Sequence, residues 1–193
     1  EVWPEYPTEV LREAILNALA HRDYHVRGTT VDITIWDDRI EIHSPGGLPA
    51  PITIENIRTE HYSRNRRIMR VLKMIGLVEE YGEGVDRMFD AMEARLMEPP
   101  VIMATADSVT VTLRNRFLVS VEEQAWLSLL GHLHLSSTER RVLAATRREG
   151  SITRRRILQL MPDVNAEAVL KGAVAKGLLN RIGQAGGARY ELS

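Results

Sequence analysis

The chain has 193 residues, 44% of them hydrophobic and 26% charged, a globular composition long enough for one or two small domains. Its formal net charge is −1, so no global field draws it onto nucleic acid, and any basic footprint must be local. Cysteine is absent, which excludes disulfides, thiolate metal sites and a cysteine nucleophile and agrees with a reducing cytoplasm; no apolar run is long enough to span a bilayer, and no signal peptide is visible.

Pro4 and Pro7 oppose helix, so residues 1–7 read as an extended lead-in and Thr8 as an N-cap. Residues 11–24 follow as a helix. Leu11, Ala14, Ile15, Ala18 and Leu19 recur at helical spacing and predict a buried stripe. Glu13, Asn17 and His21 stand four apart in series and share one face beside that stripe. A plain solvated face mixes Lys, Glu and Gln. A carboxylate, an amide and an imidazole in register instead suggest a site, and carboxylate and amide oxygens suit a hard cation such as Mg²⁺.

Residues 21–28 form a polar loop. Residues 30–36 alternate with Val31, Ile33 and Ile35 on one face, and residues 39–43 return with Ile40 and Ile42 inward, a hairpin with one buried face. The stretch 44–51 is too rich in Pro and Gly for a regular element, and Gly46 and Gly47 would let the backbone approach a ligand closely. After a short turn at 52–57, residues 58–67 are polar and basic: either a solvated loop or a lid whose Arg64, Arg66 or Arg67 reaches phosphate. Residues 68–77 read as a helix with Ile68, Val71, Leu72 and Ile75 at core spacing, ended by Gly76. Gly82-x-Gly84 leads into another helix with Val85, Met88, Phe89 and Met92 as its apolar stripe, and free amides at a helix N-terminus attract anions. Pro99-Pro100 stops it, and 101–105 with 109–113 make a second hairpin.

The tail reads as a separate unit. Residues 118–135 form a linker helix, and Ser136-Ser-Thr138 caps a helix over 139–148. Helices at 152–160 and 165–176 follow, then a terminal hairpin turning around residues 183–187. Three helices and a hairpin spell a winged helix over 136–193. Its basic residues Arg154, Arg155, Arg156, Lys171, Arg181 and Arg189, with Lys176, are the candidate DNA-phosphate contacts; few side chains of the third helix could reach base edges.

Glu13-x-x-x-Asn17-Ala-x-x-His21 resembles the N-box of the GHKL ATPases: histidine kinases, gyrase B, MutL and the Hsp-ninety chaperones. His21-Arg-Asp-Tyr24, Asp38-Arg-Ile-Glu41, Ser44-Pro-Gly-Gly-Leu-Pro49, Ser63-Arg-Asn65, Gly82-Glu-Gly84 and Arg87-Met88 resemble one branch of them, the RecG-related ATP-binding transcriptional regulators, over residues 3 to 116. The resemblance implies an α+β chain: a GHKL-like sandwich of helices on a mixed sheet over 1–117, followed by the winged helix. It implies ATP and Mg²⁺ as cofactors, with Asn17, His21, Ser44, Gly46, Gly47, Arg64, Asn65, Gly82 and Gly84 around the nucleotide and Asn17 and Glu13 at the metal. If the site hydrolyses ATP, making the chain a weak ATPase, Glu13 is the candidate base. Ser44 stands where the wider family has an Asp that bonds the adenine amino group. The branch often carries a Schlafen/AlbA-like domain ahead of this region, and the absence of an initiating Met leads us to expect a fragment or processed chain.

No Gly-x-x-x-x-Gly-Lys-Ser/Thr occurs, so no P-loop helicase motor is present, and His61, His132 and His134 lack a metal-ligand pattern. The expected function is a cytoplasmic transcriptional regulator that contacts DNA, with a homodimer among the expected assemblies. The alternative is a degenerate structural or dimerising domain without nucleotide, joined to a winged helix that contacts protein.

Overall fold

The structure, a computed structural model, describes residues 4–78, 84–183 and 187–193. It divides into two compact units, Glu1–Phe117 and Leu118–Ser193.

Unit 1 contains α1 (Thr8–His21), β1 (Asp32–Ile35), β2 (Arg39–Pro45), α2 (Arg66–Met74), α3 (Gly84–Ala94), β3 (Val101–Ala104) and β4 (Ser108–Arg114). The four strands form one sheet in the order β1-β2-β4-β3. The expected mixed sheet is replaced by one in which every neighbouring pair is antiparallel. The reason is local: β1-β2 and β3-β4 are hairpins, and β2 and β4 pair antiparallel between them. Helices α1 and α3 pack on each other, and α1 packs on β2. Val10, Ala14 and Ala18 of α1, Met88 and Met92 of α3, and Ile40, Ile42, Val111 and Leu113 of the central strands make the core.

Three expectations about burial are corrected. In α1 the buried residues are Val10, Glu13, Ala14, Leu16, Ala18 and Ala20, while Leu19 is exposed. The stripe is rotated because α1 packs on both β2 and α3, and its alanines and Val10 take the buried positions. In β1, Ile33 and Ile35 alternate as expected and oppose Ile42 and Ile40, yet the whole strand is exposed. It is the edge strand, and the core cluster formed with α1 and α3 draws on β2 and β4. Helix α2 has no buried residue, and Val71 and Ile75 are exposed rather than core.

Unit 2 contains α4 (Val121–Leu129), a 3₁₀ turn (Gly131–Leu133), α5 (Ser137–Glu149), α6 (Arg154–Leu160), α7 (Ala166–Ala175), β5 (Leu179–Ile182) and β6 (Arg189–Leu192). Ser120 and Ser136 each close a capping box, with Glu123 and Glu139, at the starts of α4 and α5. Helix α5 packs on α7 and β6, α6 on α7, and α7 on β5. Ile152, between α5 and α6, pairs with Tyr190 of β6, adding a third short extended segment to the β5–β6 hairpin. Val142, Leu143, Ile152, Ile157, Leu170 and Leu179 are buried at the centre.

Candidate functional site

Unit 1 encloses a cavity of about 500 Å³, within the range of small-molecule sites. One side is apolar, with Ile42, Met88 and Val111 from the sheet and α3. The other is polar, with Glu13, Asn17 and His21 from α1, and Arg66 and Lys73 from α2. Residues 48–63 supply the cover through Ile52, Ile57, His61, Tyr62 and Ser63.

The helical spacing that put Glu13, Asn17 and His21 on one face therefore brings all three to one cavity wall. Glu13 is 9% exposed. Helix α3 begins at Gly84 directly against it: a methyl group on Gly84 would overlap the Glu13 carboxylate and come within 3.2 Å of Asn17 Nδ2. The first turn of α3, the positive end of its dipole, thus adjoins the acid and the amide. Asn17 Nδ2 is buried and has no hydrogen-bond partner among the described residues. Such an orphan requires an explanation. Half a turn of the amide exchanges Nδ2 and Oδ1, so this position offers a donor to an anion or an oxygen to a cation. Burial, and then the nearby Arg64 guanidinium, hold the His21 imidazole below its ordinary range, so the ring is neutral at physiological pH.

Ser44, Gly46 and Gly47 also line the cavity. Ser44 is buried and donates its hydroxyl proton to the Ala18 carbonyl (2.9 Å), which ties β2 to α1. The two glycines serve the protein's own packing. Gly46 has φ +99, and a methyl there would meet Asp23 and Arg64. A methyl on Gly47 would lie 2.5 Å from the carbonyl oxygens of Thr105 and Ala106 in the β3–β4 turn. Their small size lets two loops close on this one.

Arg64 and Asn65 are not at the cavity wall. Arg64 donates to the carbonyls of His21 (3.1 Å) and Gly47 (2.7 Å). Asn65 Nδ2 donates to the carbonyls of Ala20 (2.9 Å) and Arg22 (2.7 Å). Both brace the C-terminal end of α1, whose free carbonyls accept from each of them. Gly82 lies outside the described residues.

Residues not singled out from sequence complete the frame. Arg22 is buried at 8% exposure and donates to the carbonyls of Asp23, Val26 and Thr29, holding the 22–29 loop. The Asp23 amide donates to the Pro45 carbonyl, joining that loop to the glycine loop. Arg58 pairs with Asp86 (2.6 Å) and lies over the Phe89 ring, fastening the cover to α3. The His21-Arg-Asp-Tyr24 motif was the available signal for the first two; nothing in the local pattern singles out Arg58.

In unit 2, Arg156 is paired with Glu149 (2.8 Å) and Lys176 with Glu139 (2.7 Å), so neither charge stands apart. Arg154, Arg155, Lys171, Arg181 and Arg189 are exposed. Arg181 opposes Tyr190 and Arg189 opposes Ile182, so the two hairpin arginines point to opposite faces. Among the described residues no group of three or more His, Asp or Glu is placed to hold a metal, and no helix is long and apolar enough to cross a membrane.

Residues 28–113 match the family described as "Putative ATP-dependent DNA helicase recG C-terminal". The matched span holds the glycine loop, the cover and α3 and leaves α1 outside. The crystal structure of the DIP2311 protein from Corynebacterium diphtheriae is similar to this chain, with 29% sequence identity and a TM-score of 0.59. The likeness covers 98% of this chain and 41% of that one, so this chain spans less than half the length of its structural neighbour. No curated protein matches it. Over that span the chain is similar to an ATPase-like, RecG-related domain family.

Proposed function

We propose that this chain is a transcriptional regulator that binds ATP with Mg²⁺ in the unit 1 cavity and contacts DNA through a winged helix in unit 2. The observation that carries the first half is the meeting of Glu13, the orphaned Asn17 amide and the start of α3 at one cavity wall. A carboxylate and an amide oxygen are a donor set for Mg²⁺, which keeps water and phosphate as its remaining ligands. Bound there, the ion would neutralise phosphate charge. Asn17 and Glu13 would hold it, the α3 N-terminus would face the phosphates, and Arg66 and Lys73 would add positive charge. The apolar side, with Ile42, Met88 and Val111, suits the base. If hydrolysis takes place, the Glu13 carboxylate is the group positioned to take the proton of an attacking water.

The order α5, extended segment at Ile152, α6, α7, β5, β6 supports the winged-helix reading of unit 2. Residues 118–193 carry eleven Arg and Lys against seven Asp and Glu, a local excess that favours phosphate contact. The exposed face of α7 presents Glu167, Ala168, Lys171, Val174 and Ala175, which offers little to base edges. That observation favours a second reading, in which unit 2 docks on protein.

Calorimetry with a non-hydrolysable ATP analogue, with and without Mg²⁺, tests the site. Wild type should bind, Mg²⁺ should strengthen binding, and Asn17→Ala should weaken it by about a hundredfold, as loss of a group bonded to charge does. No binding by wild type would leave the degenerate, structural reading of unit 1. A mobility shift on random duplex at two salt concentrations tests unit 2; affinity independent of salt would exclude phosphate contacts.

A further inference from the structure

We infer that Ser63 is a ligand-contacting residue of the unit 1 cavity, its hydroxyl reaching a phosphate or ribose oxygen. This rests on the nucleotide reading proposed above. Ser63 lines the cavity, and its Oγ is buried with no hydrogen-bond partner among the described residues. It shares all three properties with Asn17 Nδ2. The two atoms come from different parts of the chain, α1 and the segment 48–63, and both belong to residues that line the same cavity. A serine hydroxyl can rotate to donate or accept, so an available neighbour would have claimed it.

Ser63 is also held in place. The next two residues, Arg64 and Asn65, make four hydrogen bonds to the carbonyls of His21, Gly47, Ala20 and Arg22. Those bonds fix the backbone at 63 against the end of α1 and the glycine loop, so the hydroxyl is preorganised and loses little freedom on binding. A solvated loop serine would be exposed and hydrated. A structural serine would be bonded, as Ser44 is to Ala18. Ser63 is neither.

An orphaned hydroxyl weakens the free protein and strengthens the complex, and this separates the assignment from a structural role. Ser63→Ala, Ser63→Thr and Asn17→Ala should be compared with wild type by thermal unfolding without ligand and by calorimetry with the Mg²⁺ complex of a non-hydrolysable ATP analogue. Ser63→Ala should unfold at the wild-type temperature or above it and bind about tenfold more weakly, the loss expected for one hydrogen bond. Ser63→Thr, which keeps the hydroxyl, should bind within about threefold of wild type. If wild type binds and Asn17→Ala does not, but Ser63→Ala binds like wild type, the assignment falls while the nucleotide reading stands. A lower unfolding temperature for unliganded Ser63→Ala overturns it in favour of a structural hydroxyl. If wild type binds no nucleotide, both fall together.

Discussion

In unit 2 the buried carboxylates Glu123 and Glu139 are fully occupied. Each accepts the backbone N–H of its capping serine, and each meets a cation, Arg148 at 2.7 Å and Lys176 at 2.7 Å. Burial pushes both carboxyls up, but the bonds from these partners outweigh it and leave both below the usual range. Around the cavity of unit 1 two buried polar atoms stand otherwise: Asn17 Nδ2 and Ser63 Oγ have no hydrogen-bond partner among the described residues. The Glu123 and Glu139 carboxylates close their bonds within unit 2, as a group that only stabilises a fold must. Unit 1 leaves part of its network incomplete, which a fold tolerates where something else completes it. Charge follows the same division. Residues 1–117 carry nineteen Asp and Glu against fourteen Arg and Lys, whereas residues 118–193 reverse the balance.

The strongest test of this contrast is Gly84→Ala. Glycine to alanine in a helix ordinarily stabilises by about 1 kcal/mol. Here the new methyl would overlap the Glu13 carboxylate. Stability should instead fall by about 1–3 kcal/mol, as for an overpacked site, and nucleotide binding should disappear. Denaturant unfolding of the full chain reads the sign directly, and a stabilised Gly84→Ala would show that α3 does not press on Glu13.

Unit 2 can be broken from its own side. Glu123→Ala removes one arm of a capping box and the Arg148 partner together. A loss of about 1–2 kcal/mol is expected, with the ion pair discounted because Arg148 is half exposed. Because the folded carboxyl lies below its ordinary range, its contribution is complete above that range and is lost as pH falls through the folded value. Wild type should therefore lose stability in acid more steeply than Glu123→Ala.

The smallest effect belongs to His21. Its imidazole is held down by burial and by Arg64, so the unfolded chain takes up its proton first as pH falls. Stability contributed by the neutral ring is complete above the ordinary histidine value and declines below it. His21→Gln should flatten the slope of unfolding free energy against pH near pH 6 by a fraction of a kcal/mol per pH unit. An unchanged slope would mean that the ring titrates normally.

Several features were legible in the residues alone. The four-residue spacing of Glu13, Asn17 and His21 could bring them together in no other way once α1 formed, because helical period sets which side chains share a face. The Ser136 and Glu139 box marked the start of α5 through a bond spanning only three residues. Ile40 and Ile42 pointed inward because alternation along a strand is local geometry.

Other features depended on long-range neighbours. Ile33 and Ile35 obey the same alternation and are exposed, since β1 became the sheet edge outside the core cluster. Val71 and Ile75 keep helical core spacing in a helix that buries nothing. The partners of Arg64 and Asn65, basic and polar in a loop, are carbonyls at the end of α1, far back along the chain. Gly46 and Gly47 marked a close approach, but which atoms approach was set by Asp23, Arg64 and the β3–β4 turn. Periodicity and capping act over a few residues and are written in order along the chain. Burial and the choice of hydrogen-bond partner depend on segments tens of residues apart, and only the folded arrangement decides them.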